Sequence, residues 1–125
     1  MANQDSLTVT RAHFIGIGGA GMSGIALVLH ERGCTVTGSD LKSSRYVREL
    51  EEAGIRVHIG HVAATIDEVR PDVVVTSSAI PETNPEVIRA RELGLPIWPR
   101  AKMLSYLSRG RKTIAVAGTH GKTTT

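Results

Sequence analysis

The 125-residue sequence has little of several features that mark other classes of protein. Its single cysteine, Cys34, excludes an intramolecular disulfide framework, and we interpret it as a small buried residue in a reducing compartment. Aromatic residues make up only 3% of the chain, too few to provide stacking platforms for nucleic-acid bases. The longest apolar run, residues 25–29, is too short to cross a membrane, and residues 1–8 lack the basic and apolar regions of a signal peptide. We therefore expect a cytoplasmic protein that binds neither nucleic acid nor membrane.

Acidic residues are missing from the last part of the sequence. The net charge is +3, yet all 12 acidic residues precede Arg100, whereas six of the 15 basic residues lie at Arg100 or beyond it. Residues 1–99 are therefore net acidic, and positive charge gathers toward the end of the chain. This local excess favours a small anionic ligand such as a nucleotide triphosphate, and a solvated basic helix is the alternative.

Short runs typical of strands alternate with amphipathic segments typical of helices. Strands are predicted at residues 13–15, 35–39, 55–59, 72–76, 96–98 and 113–117. Four of the helices between them are predicted to end at glycines, and a short segment at residues 62–69 is predicted to end before Pro71. Asn84 followed by Pro85 is typical of a helix start. The continuous β-branched run in residues 72–76 indicates a strand buried on both faces, and hence a parallel sheet. This pattern predicts a Rossmann-like, three-layer α/β/α domain with about five parallel strands and right-handed crossovers.

The first of two glycine-rich stretches follows the predicted strand at residues 13–15 and precedes an apolar helix. A strand, a glycine turn and a helix in this order are typical of a site for nucleotide phosphates. Gly16 is expected to permit the tight turn, Gly18 to admit a pyrophosphate close to the backbone, and Gly21 to let helix and strand pack closely. The free N–H groups of the first helical turn are then expected to face the anion.

Further candidate residues follow the ends of later strands, where open α/β sheets bind ligands. Asp40 lies about 20 residues beyond the glycines, where an acidic side chain usually meets a ribose hydroxyl, and a helix N-cap is the alternative. The connection at residues 77–81 leaves the carboxyl end of the strand at residues 72–76. Both segments are therefore expected at the ligand edge of the sheet.

A second phosphate-binding pattern ends the sequence. In Gly118-Thr119-His120-Gly121-Lys122-Thr123-Thr124, the lysine can reach the β and γ phosphates of a nucleotide and Thr123 can offer its hydroxyl to Mg²⁺. The pattern departs from a full P-loop because Val116 stands where a first glycine is expected. A disordered tail is the alternative, but the preceding β-branched run favours a P-loop.

Together the two loops resemble one family, the ATP-dependent Mur ligases of peptidoglycan synthesis. The resemblance covers the chain from His13 to the end, and it is most specific for the members that join L-alanine to UDP-N-acetylmuramate. It is carried by residues 13–24, 38–40, 77–80 and 117–125.

The resemblance implies an acid–amino-acid ligase with three domains. Residues 1–110 would form the UDP-sugar-binding domain, and residues 111–125 would begin the central ATPase domain. In this family ATP phosphorylates the muramate carboxylate, and the amine of L-alanine attacks the acyl phosphate. The implied cofactors are ATP and Mg²⁺, with no nicotinamide or flavin. Since the P-loop helix and the central and C-terminal domains lie beyond these 125 residues, we expect this chain alone not to turn over.

The resemblance also assigns site residues. Lys122 and Thr123 would be the catalytic contacts, and Gly118, Thr119, His120, Gly121 and Thr124 would complete the ATP loop, although no specific role is assigned to His120. His61 would contact the uracil, and a plain surface-loop histidine is the alternative, whereas His13 is expected to pack. The implied UDP-sugar contacts are Gly16, Gly18, Gly19, Ala20, Gly21, Met22, Ser23, Asp40, His61, Ser77, Ser78 and Ala79.

Two other classes of function remain open at this point. If residues 118–125 had no role, the rest of the chain would suit an NAD(P)-binding module of a dehydrogenase or a sensor, since that cofactor also uses an acidic residue on a ribose. A purely structural scaffold domain is the third class. The bound ligand discriminates the three, because Asp40 serves the first two equally.

Overall fold

Five strands and five helical segments alternate in the described residues, 8–19 and 21–108, of the computed structural model. The strands are β1 Arg11–Ile15, β2 Thr35–Asp40, β3 Arg56–Ile59, β4 Val73–Thr76 and β5 Ile97–Pro99. The helices are α1 Met22–Glu31, α2 Arg45–Glu52, α3 Ala63–Val69, α4 Pro85–Glu92 and α5 at residues 100–108. None of the described helices has the length and apolar character that crossing a bilayer requires.

The strands form one parallel sheet in the order β3-β2-β1-β4-β5. The chain moves outward from β1 to β3, then returns to the other side of β1 with β4. The order therefore reverses between β1 and β4, and their carboxyl ends open at one edge of the sheet, where such folds bind ligands. The predicted Rossmann-like parallel sheet is confirmed.

The core lies in two layers, one on each face of the sheet. Phe14 and Val75 pack on one face with α1, α2 and α5, whereas Ile15 and Val74 pack on the other with α3 and α4. Successive residues of a strand point to opposite faces, so a strand covered on both faces, such as β4, has a continuous apolar run. This explains the continuous β-branched run of β4 and confirms the three-layer prediction.

Side-chain caps mark the starts of α2 and α4, and the one at Asn84 was predicted. The Ser44 Oγ accepts a hydrogen bond from the Val47 N–H at 3.2 Å, and the Asn84 Oδ1 accepts one from the Glu86 N–H at 2.9 Å. Glycines with positive φ follow α1, α2 and α4, as at Gly54 with φ 102°, whereas Arg70 ends α3. These contacts satisfy N–H groups that have no partner inside the helix.

Two side chains are more exposed than their apolar character suggests. Leu104 on α5 is 42% exposed, because Met103 and Leu107, one turn apart, form the buried face of that helix. Cys34 is only partly buried, and its Sγ donates to the Val9 carbonyl at 3.3 Å. Burial raises the pKa of its thiol, which favours the protonated form.

A carboxylate fixes the amino end of the sheet. The Asp72 Oδ2 accepts hydrogen bonds from the Thr10 N–H, the Thr10 hydroxyl and the Arg11 N–H, at 2.8, 2.6 and 2.9 Å. Burial alone would raise the pKa of this carboxyl, but these hydrogen bonds and the Arg11 charge hold its pKa below the usual value. Asp72 thereby ties the start of β4 to the start of β1.

Candidate functional site

The glycine-rich loop leaves β1 at the carboxyl edge of the sheet and is tied to β2. Gly16 turns the chain with φ 78°, and the N–H groups of Gly16 and Ile17 donate to the Ser39 carbonyl at 2.8 and 3.0 Å. The Gly19 N–H donates to the Gly16 carbonyl at 3.0 Å, and α1 begins after Gly21, whose φ is 81°. The loop is therefore a pre-formed turn that leads into a helix N-terminus.

The loop divides into a satisfied half and an open half. The N–H groups of Gly16, Gly18 and Gly19 already donate to protein acceptors. Within residues 8–19 and 21–108, by contrast, the Gly21 N–H has no acceptor, and that of Ser23 makes only a long bond of 3.5 Å. The first turn of α1 carries no acidic residue. The donors that can meet an anion therefore lie at the start of the helix.

Gly18 has a different role from the one its spacing suggested. A Cβ at Gly18 would lie 2.9 Å from the Asp40 Oδ2 and 2.9 Å from the Val47 Cγ2, so the space beside it belongs to protein atoms and not to a pyrophosphate. The expected helix–strand packing role of Gly21 is also wrong. Its neighbour is the Arg100 Nη1, 3.1 Å from an added Cβ, and Gly38 on β2 provides the close packing instead, against Ile17.

Asp40 ends β2 and is hydrogen-bonded to the glycine-rich loop. Its Oδ2 accepts from the Gly18 N–H and its Oδ1 from the Leu41 N–H, both at 2.8 Å. The alternative role as a helix N-cap is wrong, because Ser44 caps α2. Each carboxylate oxygen keeps a second lone pair, and the side chain is partly exposed. Contact with ribose hydroxyls remains a prediction that this position permits.

A fully buried carboxylate, Glu86, lies beneath the same edge. Its Oε1 accepts from the His13 Nε2 at 2.7 Å and from the Ser39 hydroxyl at 2.8 Å, and its Oε2 accepts from the Val62 N–H at 3.1 Å. Burial by itself would raise the pKa of Glu86. The hydrogen bonds from these donors and the His13 charge outweigh burial and lower its pKa, so the group is a carboxylate.

Two histidines belong to this network. His13, expected only to pack, is buried and bonded through both nitrogens, its Nδ1 lying 2.8 Å from the Thr37 Oγ1. The His61 Nδ1 lies 2.9 Å from the Ser39 Oγ, and its side chain is only 10% exposed. The surface-loop alternative for His61 is therefore wrong.

An apolar cleft of about 430 Å³ opens beside His61. The turn after β4 forms one wall, with the Ile80 N–H donating to the Ser77 carbonyl at 3.0 Å. The Ile80 Cδ1 would lie 3.0 Å from a Cβ on Gly16, so this turn abuts the glycine loop. The cleft is lined by Leu41, His61, Ala79, Ile80, Pro81, Thr83, Asn84 and Pro85. Of the three predicted residues in this turn, Ala79 lines the cleft, whereas Ser77 and Ser78 do not.

This arrangement agrees with the comparison with known proteins. The profile of the Mur ligase family, catalytic domain, matches residues 11–112. The chain belongs to the Mur ligase family.

Individual members of the Mur ligase family agree with the chain in sequence and in fold. It is 58% identical over 115 residues to the UDP-N-acetylmuramate--L-alanine ligase of Thermobifida fusca, and 57% identical over 117 residues to that of Janthinobacterium. These alignments cover 92% and 94% of the chain. The crystal structure of UDP-N-acetylmuramate-alanine ligase MurC from Thermotoga maritima matches 82% of the chain with a TM-score of 0.75 and 34% identity.

A second Mur ligase structure has a different printed specificity. The UDP-N-acetylmuramate:L-alanyl-gamma-D-glutamyl-meso-diaminopimelate ligase of Neisseria meningitides matches 78% of the chain with a TM-score of 0.72 and 35% identity. The chain spans about a quarter of the curated relatives' length, 24% and 25% for the two above, and 23% and 31% of the two solved chains.

Sequence reasoning missed two residues of this Mur ligase site. Glu86 was not among the predicted site residues, and its one signal was the polar residues at His13, Thr37 and Ser39 on two neighbouring strands of the sheet. Arg100 was counted only in the basic end of the chain, although its guanidinium lies beside Gly21.

Other predicted residues lie outside the described part of the chain. These are Ala20, the whole ATP loop with Lys122 and Thr123, and the proposed domain start at residues 111–125. Their roles stay predictions.

Proposed function

We propose that this chain is the domain that binds UDP-N-acetylmuramate in an ATP-dependent ligase that joins L-alanine to that nucleotide sugar. The observation that carries the proposal is that one glycine-rich loop has an open helix start at Gly21, with the Arg100 guanidinium beside it, and abuts the apolar cleft through the contact of Gly16 with Ile80. Anion donors and an apolar cleft that share one loop fit a nucleoside diphosphate. The names of the relatives support the same substrate class.

Each part of the ligand has a counterpart along the sheet edge. The diphosphate lies at residues 21–23, where the N–H groups at the helix start and Arg100 neutralise its charge. The ribose meets Asp40, and the uracil enters the cleft beside His61. The sugar extends toward residues 77–79. Binding energy from these parts positions the muramate carboxylate for chemistry elsewhere in the parent protein.

The phosphoryl-transfer step belongs to the rest of the parent protein and to residues outside those described. Lys122 and Thr123, with Gly118, Thr119, His120, Gly121 and Thr124, are proposed to hold ATP and Mg²⁺ after residue 111. Bound Mg²⁺ neutralises charge on the phosphates during transfer, while the lysine positions them. The central and C-terminal domains of the parent would bring L-alanine. We place the protein in the cytoplasm, where peptidoglycan precursors are made.

Titration calorimetry tests the proposal directly. UDP-N-acetylmuramate is titrated into the protein, with NAD and NADP as matched dinucleotides. We expect binding of the UDP-sugar and none of the dinucleotides at equal concentration. Binding of NAD or NADP without the UDP-sugar would support a nicotinamide module instead, and no binding of any of the three would support a scaffold domain.

A second assay tests the proposal that the ligation step requires the rest of the parent protein. The 125-residue chain is incubated with UDP-N-acetylmuramate, L-alanine, ATP and Mg²⁺, and released phosphate is measured. We expect no turnover, because these residues span only about a quarter of the length of the ligases they match. Ligation by this chain alone would contradict the assignment of chemistry to the rest of the parent protein.

A further inference from the structure

The hydrogen bonds beneath the cleft determine where the protons lie. Glu86 is a carboxylate and can only accept, so the Ser39 hydroxyl uses its single proton on the Glu86 Oε1 at 2.8 Å. The Ser39 Oγ can then only accept from the His61 Nδ1, which lies 2.9 Å away. The proton of a neutral His61 is therefore on Nδ1.

This leaves the other nitrogen of His61 as a bare acceptor. In the described residues, the buried side-chain nitrogens without a partner belong to His58 and Trp98 only. The His61 Nε2 has no protein partner there either, so it is accessible, on a ring that lines the cleft. A side chain that is 90% buried thus presents one unused acceptor to whatever fills the cleft.

We propose that His61 is a specificity-determining residue that accepts a hydrogen bond from a ring N–H of the bound base, and that Glu86 is the positioning residue that fixes its tautomer through Ser39. This inference rests on the proposed function. Uracil carries an N–H at ring position 3, whereas cytosine carries a bare acceptor nitrogen there. We call the chain of hydrogen bonds from Glu86 through Ser39 to His61 the relay. It therefore selects uracil over cytosine.

The buried carboxylate is what makes the relay directional. A serine hydroxyl alone both donates and accepts, so it stabilises either tautomer of a neighbouring imidazole. An acceptor-only group on its far side removes that freedom, as second-shell carboxylates do for histidines elsewhere. Without Glu86, Ser39 would donate to the His61 Nδ1 as readily as it accepts, and the Nε2 would then carry a proton that suits cytosine.

Nucleotide selectivity gives the first test. UDP and CDP share the ribose and the phosphates, so their ratio of dissociation constants isolates the base. For the wild-type protein at about pH 8, where free imidazole is neutral, we expect UDP to bind at least about 10-fold more tightly than CDP. UDP methylated at N3 should lose a similar factor. Equal affinities for UDP and CDP would overturn the proposed selection of uracil by His61 while leaving the nucleotide site in place.

Two variants separate a positioning role from a structural one. Ser39→Ala removes the relay, and we expect the UDP-to-CDP preference to fall toward 1. Thr37→Val breaks the other end of the same network, at the His13 Nδ1, without touching His61, and should keep the preference. A general loss of packing would weaken both nucleotides equally and leave the ratio unchanged in both variants, which would overturn the proposal.

The tautomer itself is measurable without any nucleotide. Long-range ¹H–¹⁵N spectra of the ¹⁵N-histidine-labelled protein distinguish a protonated from a bare ring nitrogen. We expect His61 protonated at Nδ1 and bare at Nε2, and the reverse tautomer would overturn the relay. If the tautomer is as expected but neither UDP nor CDP binds, the proposed function is wrong, and the proposed selection of uracil is wrong with it.

Discussion

The two ends of the parallel sheet each hold a carboxylate that accepts several hydrogen bonds, yet they serve different purposes. At the amino end, Asp72 accepts from Thr10 and Arg11, in a partly exposed position where water also reaches the donors. At the carboxyl end, Glu86 is fully buried, and so are His13 and Ser39, the side chains that donate to it. The same chemistry fastens a strand at one end and orders a side-chain network at the other.

The two ends also differ in whether hydrogen-bonding groups are left for a ligand. The hydrogen bonds to Asp72 join one protein segment to another. At the carboxyl end, the Gly21 N–H and the His61 Nε2 remain without partners among the described residues, and His61 lines an apolar cleft. A pre-organised edge with spare donors and acceptors is suited to bind a ligand, because the ordering cost is met on folding.

Removing the buried carboxylate should have the largest effect. Glu86→Ala leaves the fully buried His13 and Ser39 without their shared acceptor, and we expect a loss of about 3–5 kcal/mol in the free energy of unfolding. Asp72→Ala is the matched change at the amino end and should cost no more than about 1 kcal/mol, since water replaces the carboxylate. Urea unfolding measures both, and equal losses would erase the distinction between the two ends.

Added volume should be tolerated poorly beneath the carboxyl edge. A Cβ at Gly38 overlaps Ile17, so we expect Gly38→Ala to destabilise the protein by about 1–3 kcal/mol. Gly24→Ala is the control, because nothing lies within 4 Å of its Cβ and alanine favours helix by about 0.5–1 kcal/mol. Thermal unfolding should therefore shift in opposite directions for the two variants. A shift in the same direction would indicate that the loop moves freely away from β2.

Charge at the carboxyl edge should matter for binding and not for folding. Arg100 is exposed and lies beside Gly21, so Arg100→Ala should weaken UDP binding by about 10-fold, the effect of one charge-assisted contact of ~1.4 kcal/mol. Arg11→Ala removes an exposed arginine at the amino end and should leave the affinity unchanged. Calorimetry with UDP distinguishes them, and equal affinities for the two variants would remove Arg100 from the site.

Acid should weaken both ends of the sheet. The pKa of Glu86 and that of Asp72 are lowered in the folded protein, so each carboxylate stabilises the fold above its unfolded pKa. That contribution is lost as the pH falls below the ordinary values of 4.5 and 3.8 and through the folded values. We expect the free energy of unfolding to fall in this range, and Asp72→Asn to make the fall shallower. An unchanged pH dependence in that variant would contradict the lowered pKa of Asp72.

The local features of the fold could be predicted from the sequence, whereas the polar network could not. Capping by Ser44 and Asn84 and the double-sided burial of β4 depend on neighbouring residues, so their pattern is visible along the chain. Glu86 meets His13 across 73 positions, and only the strand order and register bring them together.

Gly18 shows the same limit within the site itself. Its spacing indicated an approach to phosphate, but Asp40, 22 residues later, occupies that space. The sequence spacing located the correct edge of the sheet without revealing which atoms there are already paired.

Titration of ¹⁵N-labelled protein with UDP-N-acetylmuramate, followed by amide NMR, tests most directly whether the carboxyl edge is the ligand site. The expected result is a set of shifted resonances confined to residues 16–24, 39–41, 60–62 and 77–81, with Thr10 and Asp72 unchanged. Shifts centred on the amino end, or none at saturating nucleotide sugar, would contradict it.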